Sequence, residues 1–335
     1  MLAYIIRRLL LVIPTVFFAL SFLFVLFFAL PGDPATLIAG GGDRNVDSGV
    51  VERASERYGL DKPLPQQFVS YWQRTIRWDL GESFKTRRSV NDLLGEKAVN
   101  SLRLAIWAII IEILFGVSIG VWSAIRRYSL SDKLTTIGTA AASAIPVFVL
   151  GFILQYLFAV VPEKRGWPDW LHLRTQGLGP NTWTLFFIPT GEQWRYLILP
   201  AFTLACVSTA LCARMMRGSM LEVMRADFLR TARSKGLNER QVVTRHGMRN
   251  AMLPVVTLIG LDFGTVIGAA VLTETVFSWP GLGSAIADAV GERDLPVLLG
   301  LTLAVTIAFA LVNLLVDLSY AWFDPRIRVG RGGEG

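Results

Sequence analysis

Six long apolar stretches, separated by polar segments, constrain this chain more than any other feature. A helix that crosses about 30 Å of hydrocarbon needs about 20 predominantly apolar residues. The stretches, here called spans one to six, cover residues 9–30, 104–125, 134–161, 196–213, 251–273 and 295–316. They predict an all-α integral membrane protein with six transmembrane helices. We divide it into a first helix (1–30), a long loop (31–103), a transmembrane core (104–323, containing a loop at 214–250) and a tail (324–335).

The composition excludes several other classes of protein. Hydrophobic residues make up 53% of the 335 positions and charged residues only 18%, against roughly 25% charge in a soluble domain. Such apolar content excludes a disordered chain. The two cysteines, Cys206 and Cys212, lie six positions apart in one span and point to different helix faces, so we expect no disulfide. With two scattered histidines, His172 and His246, the chain also lacks the ligands for a metal site.

Basic residues in the short loops predict the orientation, because Lys and Arg are enriched on the cytoplasmic side. Arg7 and Arg8 precede span one, whose 22 apolar residues exceed a signal-peptide core, so we expect an uncleaved helix. The second loop, the fourth loop and the tail are rich in Lys and Arg, whereas the fifth loop has only Arg293. We therefore expect both termini in the cytoplasm and the long first loop outside. The net charge of +7 thus indicates sidedness and not nucleic-acid binding.

The fourth loop is patterned as two short helices around a glycine. Apolar residues recur at helical spacing before Gly236, and the predicted apolar face comprises Leu221, Met224, Phe228 and Ala232. Gly236 occupies the place of a helix C-cap, and Asn238 with Gln241 resembles a capping box. The second helix should continue from Glu239 into span five and bend at Pro254. The residues alone leave two interpretations open: an amphipathic element on anionic lipid, or a docking element for a cytosolic partner.

The residues of this loop resemble the coupling loop of ABC importer permeases, most closely the dipeptide/oligopeptide/nickel family. The matching string is Arg230-Thr231-Ala232-Arg233-Ser234-Lys235-Gly236-Leu237, followed by Arg245, Asn250, Leu253 and Pro254. The general pattern is E-A-A-x3-G-x9-I-x-L-P. This chain departs from it in two ways. Arg230 and Thr231 replace the first two residues of the pattern, and Pro254 lies 18 positions after Gly236, whereas the pattern's proline lies about 13 positions after its glycine. Both departures resemble the peptide subgroup's own variant.

Three further strings resemble the same subgroup, so the likeness runs from end to end. They are Leu30-Pro31-Gly32-Asp33-Pro34 after span one, Glu274-Thr275-Val276-Phe277-Ser278-Trp279-Pro280-Gly281-Leu282-Gly283 after span five, and the tail string at 320–329. The likeness implies a B-type permease subunit of the cell membrane. Its implied partners are a second permease, two cytosolic ATPases that hold ATP and Mg, and an extracytoplasmic binding protein that delivers peptide. It implies coupling to an ATPase through Arg230, Thr231, Ala232, Lys235, Gly236, Leu237, Arg245 and Asn250.

The candidates for a pathway or outer gate lie in and after span five. They are Asp262, Glu274, Phe277, Trp279, Pro280 and Gly281, with Phe277 and Trp279 expected to wedge at the membrane interface. Glu112, Asp262 and Asp317 lie in or beside apolar spans, where a charge is costly. Two interpretations stay open: a functional one, which is a contact of Asp262 or Glu274 with a substrate amine or a proton relay, and that of a buried, protonated or hydrogen-bonded packing residue.

The sequence lacks a nucleotide-binding motif and a nucleophile-elbow motif. No G-x-x-x-x-G-K-[ST] occurs, so we expect no nucleotide site of its own. Gly281-Leu282-Gly283-Ser284-Ala285 lacks the second glycine of a nucleophile elbow. We therefore expect no catalytic residues and no cofactor on this chain. An intramembrane hydrolase and an ATP-independent channel or secondary transporter remain the competing classes, the latter usually showing inverted repeats.

Overall fold

A computed structural model of the chain describes residues 2–28, 62–83, 85–168, 172–180, 182–292 and 294–323. The string at 30–34, most of the predicted first loop, Arg293 and residues 324–329 of the tail string lie outside the described residues. The side chain of Asp317 also lies outside them.

The described residues are mostly helical. In chain order the helices are α1 (Leu2–Phe28), α2 (Leu64–Ile76), α3 (Val90–Ile111), α4 (Ser118–Ile125), α5 (Leu130–Ala144), α6 (Val147–Gln155), α7 (Val161–Lys164), α8 (Gln193–Val223), α9 (Asp227–Ser234), α10 (Glu239–Gln241), α11 (Met248–Val276), α12 (Leu282–Glu292) and α13 (Leu295–Phe323). The strands β1 (Trp183–Thr184) and β2 (Ile188–Pro189) form a small antiparallel pair. The predicted helical fold class is therefore confirmed in its coarser form, a mostly helical chain.

In the part of the chain that the structure describes, three wide π-helical turns join helices without ending them. They cover Glu112–Val117 between α3 and α4, Tyr156–Val160 between α6 and α7, and Val242–Gly247 between α10 and α11. Such turns add a residue to the helix and are frequent at functional sites. Two of them lie in segments that carry candidate residues.

Among the described residues, four helical segments are long and apolar enough to cross a membrane. They are Val90–Ile125, Val147–Lys164, Gln193–Val223 and Leu295–Leu315, and a fifth results if Glu239–Val266 and Gly268–Val276 form one bent span. Helix α1 is apolar as well, over Leu10–Leu26. The multi-pass helical character is thus confirmed, while the count of six and the orientation stay predictions.

Two predicted spans are irregular, span three at its expected proline and span five away from the predicted bend at Pro254. Span three is broken and not only bent, because Ile145 and Pro146 are extended, with ψ of 126° and 137°. A proline disfavours helical geometry in the residue before it. In span five, Pro254 lies within α11, and the bend of 57° falls between Val266 and Gly268. Glycine, a poor helix former, lies beside this bend.

The chain divides into two compact units. The first comprises Met1–Ser101 and Pro280–Gly335. Its apolar core joins the start of α3 to α12 and α13 through Val90, Leu282, Leu298 and Leu301. Helix α2, within the predicted first loop, packs on α1 by aromatic stacking, with the rings of Phe17 and Trp72 5.0 Å apart.

The second unit comprises Leu102–Trp279 and contains the fourth loop. One cluster joins α3, α8 and α11, with Leu104, Leu197 and Val266 buried. Another joins α4, the end of α8 and the start of α11. Close approach of the helices depends on Gly116, where an added Cβ would lie 2.7 Å from the sulfur of Cys212. This packing positions the loop between α8 and α11.

Candidate functional site

The fourth loop begins as an extension of helix α8. The helix reaches Val223, well beyond the predicted end of span four at residue 213, and Met216 and Met220 are fully buried. A tight turn follows, in which the backbone N–H of Ala226 donates to the carbonyl of Val223 at 3.0 Å. Helix α9 then starts at Asp227. The single helix predicted before Gly236, with apolar positions from Leu221 to Ala232, is therefore two helices separated by a turn.

The turn changes which side of α9 is buried. Leu229 and Ala232 are buried against Val242, while Phe228 is 46% exposed. The predicted apolar face, which included Phe228, is thus wrong at this position. It assumed an uninterrupted helical repeat from Leu221, and the turn at 224–226 shifts the register by one residue.

The glycine turn and the second helix start are confirmed. Gly236 has φ of +82°, which glycine adopts without strain, and its N–H donates to the carbonyl of Arg233 at 2.9 Å. Asn238 and Gln241 form a capping box. Across the turn, the guanidinium of Arg233 donates two hydrogen bonds to the carboxylate of Glu239, at 3.0 and 2.8 Å. The two helices are therefore fixed by hydrogen bonds and by the apolar cluster beneath them.

Most of the residues implied in coupling lie on the exposed side of this element. Arg230, Thr231, Lys235, Gly236, Arg245 and Asn250 are exposed, and Leu237 is half-buried. Ala232 is an exception, because it packs in the cluster with Leu229 and Val242. The loop thus presents polar and basic groups, together with the Phe228 ring, on a supported helix.

A buried carboxylate next to the loop was missed by the sequence analysis. Asp132, at the start of α5, is 3% exposed and accepts hydrogen bonds from Nε and Nη2 of Arg217 at 2.7 and 2.9 Å. It also accepts from the hydroxyl of Ser123 at 2.5 Å and the N–H of Tyr128 at 2.9 Å. The bonds from Arg217 and Ser123 hold the pKa of the Asp132 carboxyl well below its usual range.

This cluster, Asp132 with Arg217, Ser123 and Tyr128, is here called the Asp132 clamp. It links the end of α4, the start of α5 and the part of α8 that leads into the fourth loop. A local signal was available in the sequence, since Ser129 caps α5 and accepts a hydrogen bond from the N–H of Asp132. The partner Arg217 lies 85 positions away, and no local pattern indicates it.

The outer-gate candidates are distributed over both units. In the second unit Glu274, Phe277 and Trp279 are at most 1% exposed. The expectation that the two rings wedge at the membrane interface is corrected, because Phe277 packs on Leu154 and Leu199 inside the protein, and Trp279 belongs to the main core.

The remaining two gate candidates, Pro280 and Gly281, belong to the first unit. There the carbonyl of Pro280 accepts a hydrogen bond from Asn100 at 3.0 Å. Ser278, two positions before Pro280, has φ of +47°, an uncommon backbone geometry for a residue with a side chain.

The carboxyl groups of Glu112 and Asp262 lie against each other in the second unit, from the first π-helical turn and from α11. Both side chains are buried. Among the described residues, no group of three or more His, Cys, Asp or Glu side chains could hold a metal ion.

Comparisons with known proteins agree with one another. The family described as binding-protein-dependent transport system inner membrane component matches residues 116–329, and the N-terminal family of the same components matches residues 1–105. The glutathione transport system permease protein GsiC of Escherichia coli O6:H1 is 38% identical over 98% of this chain and 99% of that protein.

Two further comparisons concern another species and the fold. GsiC of Pectobacterium atrosepticum is also 38% identical, over 98% of this chain and 99% of its own length. In the solved structures, the MetNI methionine ABC transporter in inward-facing conformations shares the fold with a TM-score of 0.53. That match has 15% identity and covers 69% of this chain and 96% of the other.

Proposed function

Since the chain belongs to the family of binding-protein-dependent transport system inner membrane components, we propose that it couples solute import to ATPases through its fourth loop. The chain is a multi-pass permease subunit of an ABC importer and is not itself an enzyme. This membership decides among the classes that the sequence left open, in favour of an importer subunit over a channel or hydrolase.

The coupling proposal rests on the structure of the fourth loop, in which α9 has an exposed polar side and a buried apolar side. Helix α9 exposes Arg230, Thr231 and Lys235, while Leu229 and Ala232 anchor it on the start of the next helix. This start continues through a π-helical turn into α11. Because the connection is helical throughout, a displacement of α9 is transmitted to α11. The Asp132 clamp passes the same displacement from α8 to α4 and α5. An ATPase that binds α9 would thus move several helices together.

We propose the remaining topology and partners on the same basis. Six spans place both termini and the 214–250 loop in the cytoplasm, and the 31–103 region outside. A second permease subunit completes the pathway, two cytosolic ATPases bind ATP and Mg, and an extracytoplasmic protein delivers the solute. The basic fourth loop supports this orientation.

The proposed solute is a short peptide. The relatives at 38% identity are named for glutathione transport, and glutathione is itself a tripeptide. Oligopeptides or dipeptides are the class that we propose for this chain.

We propose that residues 262–281 border the pathway near its outer gate. The buried side chains of Glu274, Phe277 and Trp279 fix the backbone of this segment, on which Pro280 and Gly281 turn the chain. If Asp262 contacts the solute, Asp262→Asn lowers uptake while the assembled complex forms in normal amount. Normal uptake by this variant would remove Asp262 from the pathway.

The coupling proposal is tested at Gly236. Proline has φ near −65° and cannot adopt the observed +82°, so Gly236→Pro should abolish ATP-driven uptake of a labelled peptide. Asparagine tolerates positive φ, so Gly236→Asn is the matched control and should retain most uptake. Affinity purification through a tag on this chain should recover the ATPases with both variants, which shows that the complexes assemble. Full uptake by an assembled Gly236→Pro complex, or uptake without any ATPase, would contradict the proposal.

A further inference from the structure

Two acidic side chains, Glu112 and Asp262, meet inside the second unit, outside the fourth loop. Glu112 opens the π-helical turn after α3, and Asp262 lies in α11, shortly before the helix bends. Glu112 is 0% exposed and Asp262 is 9% exposed. Their carboxyl groups are close enough to interact directly. The two spans that they belong to are thus in contact through a pair of acids, here called the carboxyl pair.

The carboxyl pair has few hydrogen-bond donors around it. The hydroxyl of Thr265 donates to Oδ1 of Asp262 at 3.3 Å. Both oxygens of Glu112 and Oδ2 of Asp262 are buried and accept no hydrogen bond from any described group. Three buried oxygen atoms of the pair therefore have no hydrogen-bond donor among the described residues.

No described group supplies a positive charge to the pair either. Helix α8, packed against the pair, contributes the thiol of Cys212, whose electrostatic interactions include both carboxyls. Among the described residues, no Lys, Arg or His contributes to the electrostatic environment of Glu112 or Asp262. Two ionised carboxylates in contact and out of water would repel each other strongly.

We propose that Glu112 and Asp262 hold a proton between them, as an acid–carboxylate pair that joins the second span to the fifth. One protonated carboxyl supplies the missing donor, and its O–H···O⁻ bond to the other is of the strong, charge-assisted kind. The proton removes the repulsion and satisfies two of the orphaned oxygens at once. A solute amine is a poorer occupant, because Glu112 is fully enclosed within one chain.

The proton is observable by infrared spectroscopy of the purified transporter complex. The wild type should show the carbonyl stretch of a protonated carboxylic acid, shifted in D₂O, that is lost when Glu112→Gln and Asp262→Asn are combined. Glu222→Gln, at an exposed carboxyl, is the matched control and should leave the band unchanged. An identical band in the wild type and the double variant would overturn the proposal.

Thermal melting of the same complex gives a second, independent reading. Alkaline pH should lower the melting temperature of the wild type more than that of Glu112→Gln, because the glutamine amide donates to Asp262 without needing a proton. Asp262→Asn serves the same purpose if the first variant does not assemble. Equal alkaline sensitivity in the wild type and these variants would contradict a shared proton.

A metal cation is the remaining occupant, and the melting experiment separates it from a proton. Sodium chloride and choline chloride are compared at equal ionic strength. The proposal expects the same melting temperature of the wild type in both salts. A melting temperature raised by sodium in the wild type, and not in the double variant, would assign the site to a metal cation and overturn the proposal.

Discussion

The Asp132 clamp and the carboxyl pair are two buried acidic sites in the same unit, and they differ in what neutralises them. Asp132 receives a guanidinium, a hydroxyl and a backbone N–H. The pair receives one hydroxyl, from Thr265. Asp132 lies beside a polar loop, where an arginine can keep its outer edge in water, whereas Glu112 lies in an apolar stretch that no basic side chain enters among the described residues. The difference teaches that position along the span decides whether a buried acid is held by a cationic side chain or by a proton.

Removing the cation from the clamp should have the largest effect. Arg217→Ala leaves the carboxylate of Asp132 buried and without its main partner, and breaking a buried ion pair in this way costs about 3 kcal/mol. We expect a marked fall in the melting temperature of the complex and a lower yield of assembled transporter. Uptake per assembled complex should fall too, because the clamp joins the loop-bearing helix to α4 and α5.

Arg214→Ala is the matched control for this substitution. Arg214 is exposed on the same helix and donates one hydrogen bond of 3.2 Å to Ser143. Its loss should change stability by less than about 0.5 kcal/mol. Equal effects of the two substitutions would show that the clamp stabilises nothing beyond an ordinary surface arginine.

The clamp should also depend on pH in the opposite direction to the carboxyl pair. The folded protein holds the pKa of Asp132 below its usual range, so the stabilisation is present above the unfolded value, about 3.9, and is lost as pH falls through the folded value. Asp132→Asn should therefore lower the free energy of unfolding at neutral pH by about 2 kcal/mol, and the melting temperature should fall accordingly. The gap between wild type and variant should close on strong acidification. A gap that stays constant to low pH would exclude a charged clamp.

Local sequence signals predicted the loop well, because their causes are local. The positive φ of Gly236 and the Asn238–Gln241 capping box depend on residues a few positions apart, and both are confirmed. The error at Phe228 has a local cause as well: a turn without glycine or proline at 224–226 gives no sign in the sequence, yet it changes the register of α9.

The acidic sites show the limit of the same reasoning. Glu112 and Asp262 stood out singly as acids in apolar spans, but their contact depends on how the second and fifth spans pack. Asp132 did not stand out at all, because a charged residue in a basic loop is ordinary until Arg217 is brought to it. Packing of distant segments, and not residue type, created both sites.

The smallest effect is expected where the proposed proton can be replaced without loss of a hydrogen bond. In Glu112→Gln the amide N–H takes the place of the acid O–H, so the free energy of unfolding at neutral pH should change by no more than about 1 kcal/mol. Glu112→Ala removes the donor and leaves a cavity, which should cost about 2 kcal/mol or more. Melting temperatures of the three complexes test this ranking. If glutamine destabilised as much as alanine, the negative charge of Glu112 would be required, and the contrast with the Asp132 clamp would fail.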